Sequence, residues 1–386
     1  MVYMNKQLAI TILMLAILLG CASETSTKET TETIKIGVNF PMSGGLSVYG
    51  EPLLEGLQIA VEEVNANGGV NGKSFELIVE DNRGVPTDAV TAMQKLISQD
   101  VALVMSTMVG LTGAITPVAE QNKQVLLYAA AADTFAEDNT FVFKDSVDAF
   151  YDCELLGNFV AEQGAERVGL FGTDAEFTRK CEEGIKQKTN LSLDVAEYYV
   201  KDAKNTEVDY RTALTKLKAA NVDAIFLSAY ADDCLLIWKQ INELGINKPF
   251  LIPFTQTGCG EDKASEFIGT GKEVIGLDFV VNKASPEFTK FITSFREKYN
   301  KEPSLLFFTA LAYDWAHYVA EALENCPDAT DSECVKKELE QIKHTGAWGD
   351  VEFTAKHTTK RPRQFIEFSD KSWKVLKQNQ EQQKGE

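Results

Sequence analysis

The chain has 386 residues, 44% of them apolar and 25% charged, with 38 basic and 57 acidic side chains and a formal net charge of −19. That is an ordinary globular composition, long enough for more than one domain. Phosphate recognition needs stripes of Lys and Arg, so an acidic chain with no basic cluster argues against nucleic acid as a partner.

Met1–Gln7 carries one basic residue, Lys6, and no acid, and residues 8–20 form an apolar run interrupted only by Thr11. Thirteen residues are too few to span a bilayer as a helix but suit the core of a signal peptide. The stretch Leu18-Leu19-Gly20-Cys21 resembles a lipobox, which implies that residues 1–20 are removed and that Cys21 becomes the lipidated first residue. Two or more acyl chains anchor stably, at about 0.8 kcal/mol per buried CH₂. The alternatives are an ordinary cleaved signal peptide, or a short membrane anchor with an incidental cysteine. Residues 21–33 then form the lipidated end and a Ser/Thr/Glu-rich tether without aliphatic periodicity.

From Ile34 the pattern alternates between apolar strands and amphipathic helices. Expected strands are Ile34–Phe40, Phe75–Asp81, Val101–Ser106 and Val125–Ala129, with helices around Leu53–Val64, from Pro86, and over Gly113–Asn122. The beat repeats after residue 150. Strands are expected at Arg167–Gly172, Asp223–Ala229 and Phe250–Pro253, and helices at Glu176–Lys188, Asp209–Ala220 and Asp232–Leu244. Near-continuous apolar strands between helices imply parallel sheets covered on both faces, so the fold class is α/β, and two such runs imply two lobes. Helices are expected near Glu287–Tyr299, Ser304–Leu323 and Glu333–His344, with Trp315 in the core, followed by a β-region at Gln364–Ser369.

Besides Cys21 there are six cysteines: Cys153, Cys181, Cys234, Cys259, Cys326 and Cys334. An even number outside the cytosol suggests disulfides, and sequential pairing is the simplest of the 15 possible connectivities; buried free thiols are the alternative. No CxxC occurs, and the three histidines lie far from any zinc-like spacing, so no metal is expected. There is no dinucleotide fingerprint, phosphate loop, nucleophile elbow or HExxH. The expectation is a binding protein without a cofactor, not an enzyme.

Particular motifs point further. Pro41-Met42-Ser43-Gly44, Tyr49-Gly50, Gly56 to Ala60, Val64-Asn65-Ala66-Asn67-Gly68-Gly69-Val70-Asn71-Gly72 and Glu80-Asp81 follow one another in order. This opening resembles that of the leucine/isoleucine/valine-binding protein family, the type I solute-binding proteins of ABC transporters. The resemblance implies two Rossmann-like lobes joined by a three-crossing hinge. Lobe 1 would be residues 34–147 plus 280–347, lobe 2 residues 148–279 plus 348–376, and residues 377–386 a disordered tail. It also implies an extracytoplasmic monomer held to the membrane by its lipid anchor, delivering a small-molecule ligand to an ABC permease and its ATPase. The other function weighed is a ligand-binding sensor with a separate signalling partner.

Ligands of parallel α/β lobes sit at the carboxyl ends of strands, where helix N-termini offer unpaired N–H groups. Those loops contain Ser43, Tyr49, Thr107, Met108, Val109, Gly110, Ala130, Ala131, Ala132, Phe150, Phe177, Tyr230, Phe254 and Thr255. Family members that bind amino acids carry hydroxyls near Ala129–Ala132, often a Tyr at Phe177, and an acid near Phe254-Thr255. This chain has four alanines and two phenylalanines there. Each exchange removes hydrogen bonds of roughly 0.5–1.5 kcal/mol, or 1.5–3 to a charged group. The expected ligand is thus a branched-chain amino acid or a related small amphipathic solute, such as an aromatic or aliphatic carboxylate or amide.

Overall fold

The computed structural model describes residues 32–131, 134–200, 209–255, 259–260, 266–269, 271–359 and 361–379. The expected signal peptide, Cys21, the tether to residue 31, Ala132 and residues 380–386 lie outside the described residues.

Five strands, β1 (Thr33–Phe40), β2 (Ser74–Asp81), β3 (Leu103–Thr107), β4 (Leu126–Ala129) and β5 (Val142–Lys144), form a parallel sheet in the order β2-β1-β3-β4-β5. Four helices run between them: α1 (Ser47–Ala66), α2 (Pro86–Ile97), α3 (Val109–Asn122) and the short α4 (Phe135–Asp138). Pro86 opens α2, where its missing N–H leaves no bond unmade. The chain continues through α5 (Ala149–Glu162), β6 (Arg167–Thr173), α6 (Glu176–Lys188), β7 (Ser192–Tyr199), α7 (Arg211–Ala219), β8 (Ala224–Ser228), α8 (Ala231–Glu243), β9 (Phe250–Ile252) and β10 (Val274–Phe279). It ends with α9 (Pro286–Tyr299), α10 (Leu306–Glu324), α11 (Ser332–Glu340), the hairpin β11 (Lys343–Gly346) and β12 (Gly349–Glu352), then β13 (Arg363–Ser369) and β14 (Ser372–Asn379). The second sheet has the order β14-β13-β10-β9-β8-β6-β7, five parallel strands with β13 and β14 added antiparallel. Strands β3, β4, β8 and β9 are buried along their whole length, which is why their sequences do not alternate.

After β10 the chain returns to the first sheet, where α10 packs on α1 in the largest core. Their backbones come so close that a Cβ on Gly56 would lie 2.0 Å from the Thr309 carbonyl oxygen. The cysteines pair sequentially, Cys153–Cys181, Cys234–Cys259 and Cys326–Cys334.

Three chain segments connect the sheets, and they lie side by side. The Lys144 N–H donates to the His357 carbonyl (2.9 Å), Thr359 N–H to Lys144 (3.0 Å) and Val280 N–H to Pro362 (3.1 Å). At their centre the buried Asp145 carboxylate accepts Nε and Nη2 of Arg361 (2.8 and 2.9 Å), the Thr359 hydroxyl (2.9 Å) and Nε1 of Trp315 (3.1 Å). Trp315 is in the core, as expected, and also bonds the hinge. A second pair follows, Arg363 Nε donating to Asp152 at 2.8 Å. Burial pushes the Asp152 carboxyl up to about 6, against the pull of Arg363.

Removing one partner of a buried pair strands the other charge, at a cost of about 3–5 kcal/mol. Arg361→Met should lose that much unfolding free energy in a urea titration. The Glu63 carboxylate, where α1, α9 and α10 meet, gives a pH-dependent counterpart. Burial opposes its charge, but the neighbouring His317, the Lys290 ion pair and hydrogen bonds from the Ser294 and Tyr313 hydroxyls win and hold it down to about 2, from 4.5. A lowered pKa stabilises the fold above pH 4.5, and the contribution disappears as pH falls towards 2. Discounting for screening by water, Glu63→Gln should cost on the order of 1–2 kcal/mol at pH 7. The difference in thermal midpoint from the parent should close on acidification.

Candidate functional site

The carboxyl ends of the two parallel sheets face a common cavity of about 370 Å³. That is at the small end of the range for small-molecule sites, roughly 300–1,000 Å³. From the first sheet come Leu46 and Tyr49 (after β1), Gly84 and Pro86 (after β2), Met108–Leu111 (after β3) and Ala129–Ala131 (at the end of β4). From the second come Ala175–Phe177 (after β6), Ala229 and Tyr230 (after β8) and Phe254 (after β9). Ser146 and Val147 of the first crossing and Phe307 and Phe308 of α10 complete it.

The lining is apolar. Its polar side-chain atoms belong to Ser146, Glu176 and the two tyrosines, and no Lys, Arg or His is among the described lining residues. Six rings make an unbroken arc: Phe307–Phe308 (5.1 Å between centroids), Phe308–Tyr49 (5.5 Å), Tyr49–Tyr230 (6.0 Å), Tyr230–Phe177 (5.1 Å) and Phe177–Phe254 (5.7 Å). The Tyr49–Tyr230 step joins rings carried by different sheets. Interplanar angles from 54° to 76° give the tilted and edge-to-face contacts that aromatic quadrupoles favour.

The helices that start at the cavity share a second property. The residues preceding α1, α2, α3, α6, α8 and α10 are Leu46, Val85, Met108, Ala175, Tyr230 and Leu305, and none makes a side-chain cap bond. Of the other helices, α5, α9 and α11 are capped by Asp148, Ser285 and Asp331, and α4 and α7 are not. In α3, α6, α8 and α10 the uncapped starts leave N–H donors and the positive end of the helix dipole for a ligand, worth about 0.3–1 kcal/mol per helix end for an anionic group; in α1 the Ser47 and Tyr49 N–H groups bond the Gly44 and Leu46 carbonyls, and α2 opens with Pro86, which has none. Met108 holds φ +68°, a strained conformation for a residue with a Cβ.

Of the residues expected at the site, Tyr49, Met108, Val109, Gly110, Ala130, Ala131, Phe177, Tyr230 and Phe254 line the cavity. Four others do not. The Ser43 hydroxyl donates to Asp81 (2.6 Å), tying the turn after β1 to the end of β2. The Thr107 hydroxyl is buried on the Ala129 carbonyl (3.0 Å), stitching β3 to β4. The Thr255 hydroxyl points to the Leu277 carbonyl of β10 (3.0 Å). Phe150 lies where α5 meets α6, its carbonyl against Gly184. For the three hydroxyls a nearby acceptor, the Asp81 carboxylate or a strand carbonyl, takes the side chain.

The strand-end rule also covers the β2–α2 loop, so Gly84 and Pro86 were within its reach. Phe307 and Phe308 were not, because "LLFFTALAYDW" reads only as a core helix.

Among the described residues, no group of His, Cys, Asp and Glu could hold a metal, and no helix is long and apolar enough to cross a membrane.

The sequence profile of the family described as "Periplasmic binding protein" matches residues 33–372. The chain is 24% identical over 334 residues to the leucine-, isoleucine-, valine-, threonine-, and alanine-binding protein of Pseudomonas aeruginosa, covering 84% of this chain and 87% of that one. It superposes on the branched-chain amino acid transporter substrate-binding protein LivJ of Streptococcus pneumoniae, solved with isoleucine, with a TM-score of 0.77 and 26% identity, over 90% of this chain and all of that one. A Rhodopseudomonas palustris solute-binding protein solved with benzoate has the same fold, with a TM-score of 0.77 and 16% identity, over 90% and 96% of the two chains.

A Cβ on Gly110, in the first turn of α3, would meet no atom within 4 Å. Gly110→Ala should therefore stabilise the fold by about 0.4–1 kcal/mol, read as a rise of about 1–3 °C in Tm.

Proposed function

The chain belongs to the periplasmic binding protein family, and on that premise we propose that it is the extracytoplasmic solute-binding lipoprotein of an ABC importer. It takes up a branched-chain amino acid or a related small amphipathic solute by closing two lobes over it. Its relatives are solute-binding proteins, not enzymes. Cys21 carries the lipid anchor, and the partners are a permease and its ATPase.

The observation that carries this reading is the ring-lined cavity between two strand-end edges, with uncapped helix N-termini around it. A carboxylate is taken by backbone N–H groups, since a chain of net charge −19 attracts no anion over distance. The apolar part of the solute lies against the rings and alanines. Closure changes the backbone of the three crossing segments, as in hinge-bending binding proteins.

Calorimetric titration of the soluble chain with the 20 amino acids and benzoate tests the reading. Binding of a branched-chain amino acid or of benzoate is expected, and silence from all of them at millimolar concentration would remove the class. Tyr230→Ala, which opens the arc between Tyr49 and Phe177, should weaken binding at least tenfold, about 1.4 kcal/mol.

A further inference from the structure

We propose that the bridges Cys153–Cys181 and Cys234–Cys259 are positioning cross-links that hold Phe177, Tyr230 and Phe254 in binding geometry. This rests on the cavity being the solute site. These three rings form the second sheet's share of the arc, yet they stand on three separate strand-end segments. Each is followed by a cysteine four or five residues on: Phe177 and Cys181 lie one turn apart on α6, Tyr230 and Cys234 one turn apart at the start of α8, and Cys259 follows Phe254 after β9.

The Cys234–Cys259 bond joins the segment carrying Tyr230 to the one carrying Phe254. Two indoles strengthen that junction, the buried Trp238 donating Nε1–H to the Cys259 carbonyl (2.9 Å) and the half-buried Trp373 donating Nε1–H to the Gly260 carbonyl (3.0 Å). The Cys153–Cys181 bond ties the helix of Phe177 to α5, next to Asp152, which Arg363 holds at the hinge. All four cysteines are fully buried. The third bridge, Cys326–Cys334, ties the end of α10 to the start of α11, and neither of those segments contributes a residue to the cavity lining. Loops ordered before a ligand arrives spare the association the loss of their freedom, so fixing these segments raises affinity without adding a contact.

The test compares full-length chains carrying Cys234→Ala/Cys259→Ala, Cys153→Ala/Cys181→Ala and the control Cys326→Ala/Cys334→Ala. Kd for isoleucine and benzoate, Tm and amide hydrogen exchange are measured. All three pairs should lower Tm. Only the first two should weaken Kd, by at least about tenfold, and speed exchange at residues 175–178, 228–231 and 250–255. Unchanged Kd and exchange in those two, or equal shifts in the control, would overturn the proposal. If the parent binds neither probe, the function proposed above loses its support, while the exchange comparison still decides the positioning role. Should an alanine pair fail to fold, the same measurements on Cys234→Val/Cys259→Ala, which keeps more apolar volume, serve in its place.

Discussion

A carboxylate buried where three chain segments cross has to be paired, and Asp145 is. It takes two guanidinium donors, the Thr359 and Tyr318 hydroxyls and an indole N–H. These come from α10 and from the last crossing, residues far apart in the chain, so satisfying one charge fixes the first and third crossings side by side. Arg361 also donates to the Trp348 carbonyl (2.9 Å), and Arg363 to the Arg361 carbonyl (2.7 Å), which extends the lattice towards Asp152 and α5. Such pairs add little net stability compared with well-packed apolar residues, but leaving one half-made is costly. Their effect here is one of register. The strand-end edges of the two sheets face each other only while these crossings are aligned.

The cavity that results is unusual in what it leaves undone. Helix starts commonly carry Ser, Thr, Asp or Asn, whose side chains satisfy the first N–H groups. Around this cavity the cap positions are Leu, Val, Met, Ala and Tyr. Four of them, Leu46, Met108, Ala175 and Tyr230, fail as caps and serve as wall, because an apolar side chain at a helix start shields the cavity from water. Stability is given up at several helix ends, and part of it is recovered in ring packing, where favourable aromatic pairs are worth about 0.5–1.5 kcal/mol each beyond burial. The polar residues of these loops serve the frame. Ser43, Thr107 and Thr255 each bond to a neighbouring strand or strand end.

Much of this was legible in the residues themselves. Buried parallel strands announce themselves as unbroken apolar runs, so β1, β3, β4, β6, β8 and β9 were visible. Less so were β7, whose "SLDVAEYY" mixes charge into an edge strand, and β10, whose "VIGLDF" was not set off as a strand. α3 starts at Val109, four residues before the Gly113 that the sequence pattern predicts, because "TMVG" makes no side-chain cap and Met108 turns the chain with a positive φ. The sequential disulfides followed from parity and simplicity, and the three-dimensional arrangement pairs the same cysteines.

What the sequence by itself determined was the class of fold and which loops stand at strand ends, since hydrophobic period and helix order are local properties of the chain. Only the tertiary structure decided which side chains on those loops turn inward. Thr107 and Thr255 look like ligand hydroxyls until a neighbouring carbonyl claims them. Phe307 and Phe308 read as core and are buried, yet α10, returning from the second sheet, also sets Phe308 against Tyr49 and Phe307 against Phe308 at the cavity wall. Likewise, Asp145 and Arg361 are more than two hundred residues apart, and no periodicity reports that they will share one buried bond. Direction at a site depends on competition between near partners in space, and the chain alone does not list those partners.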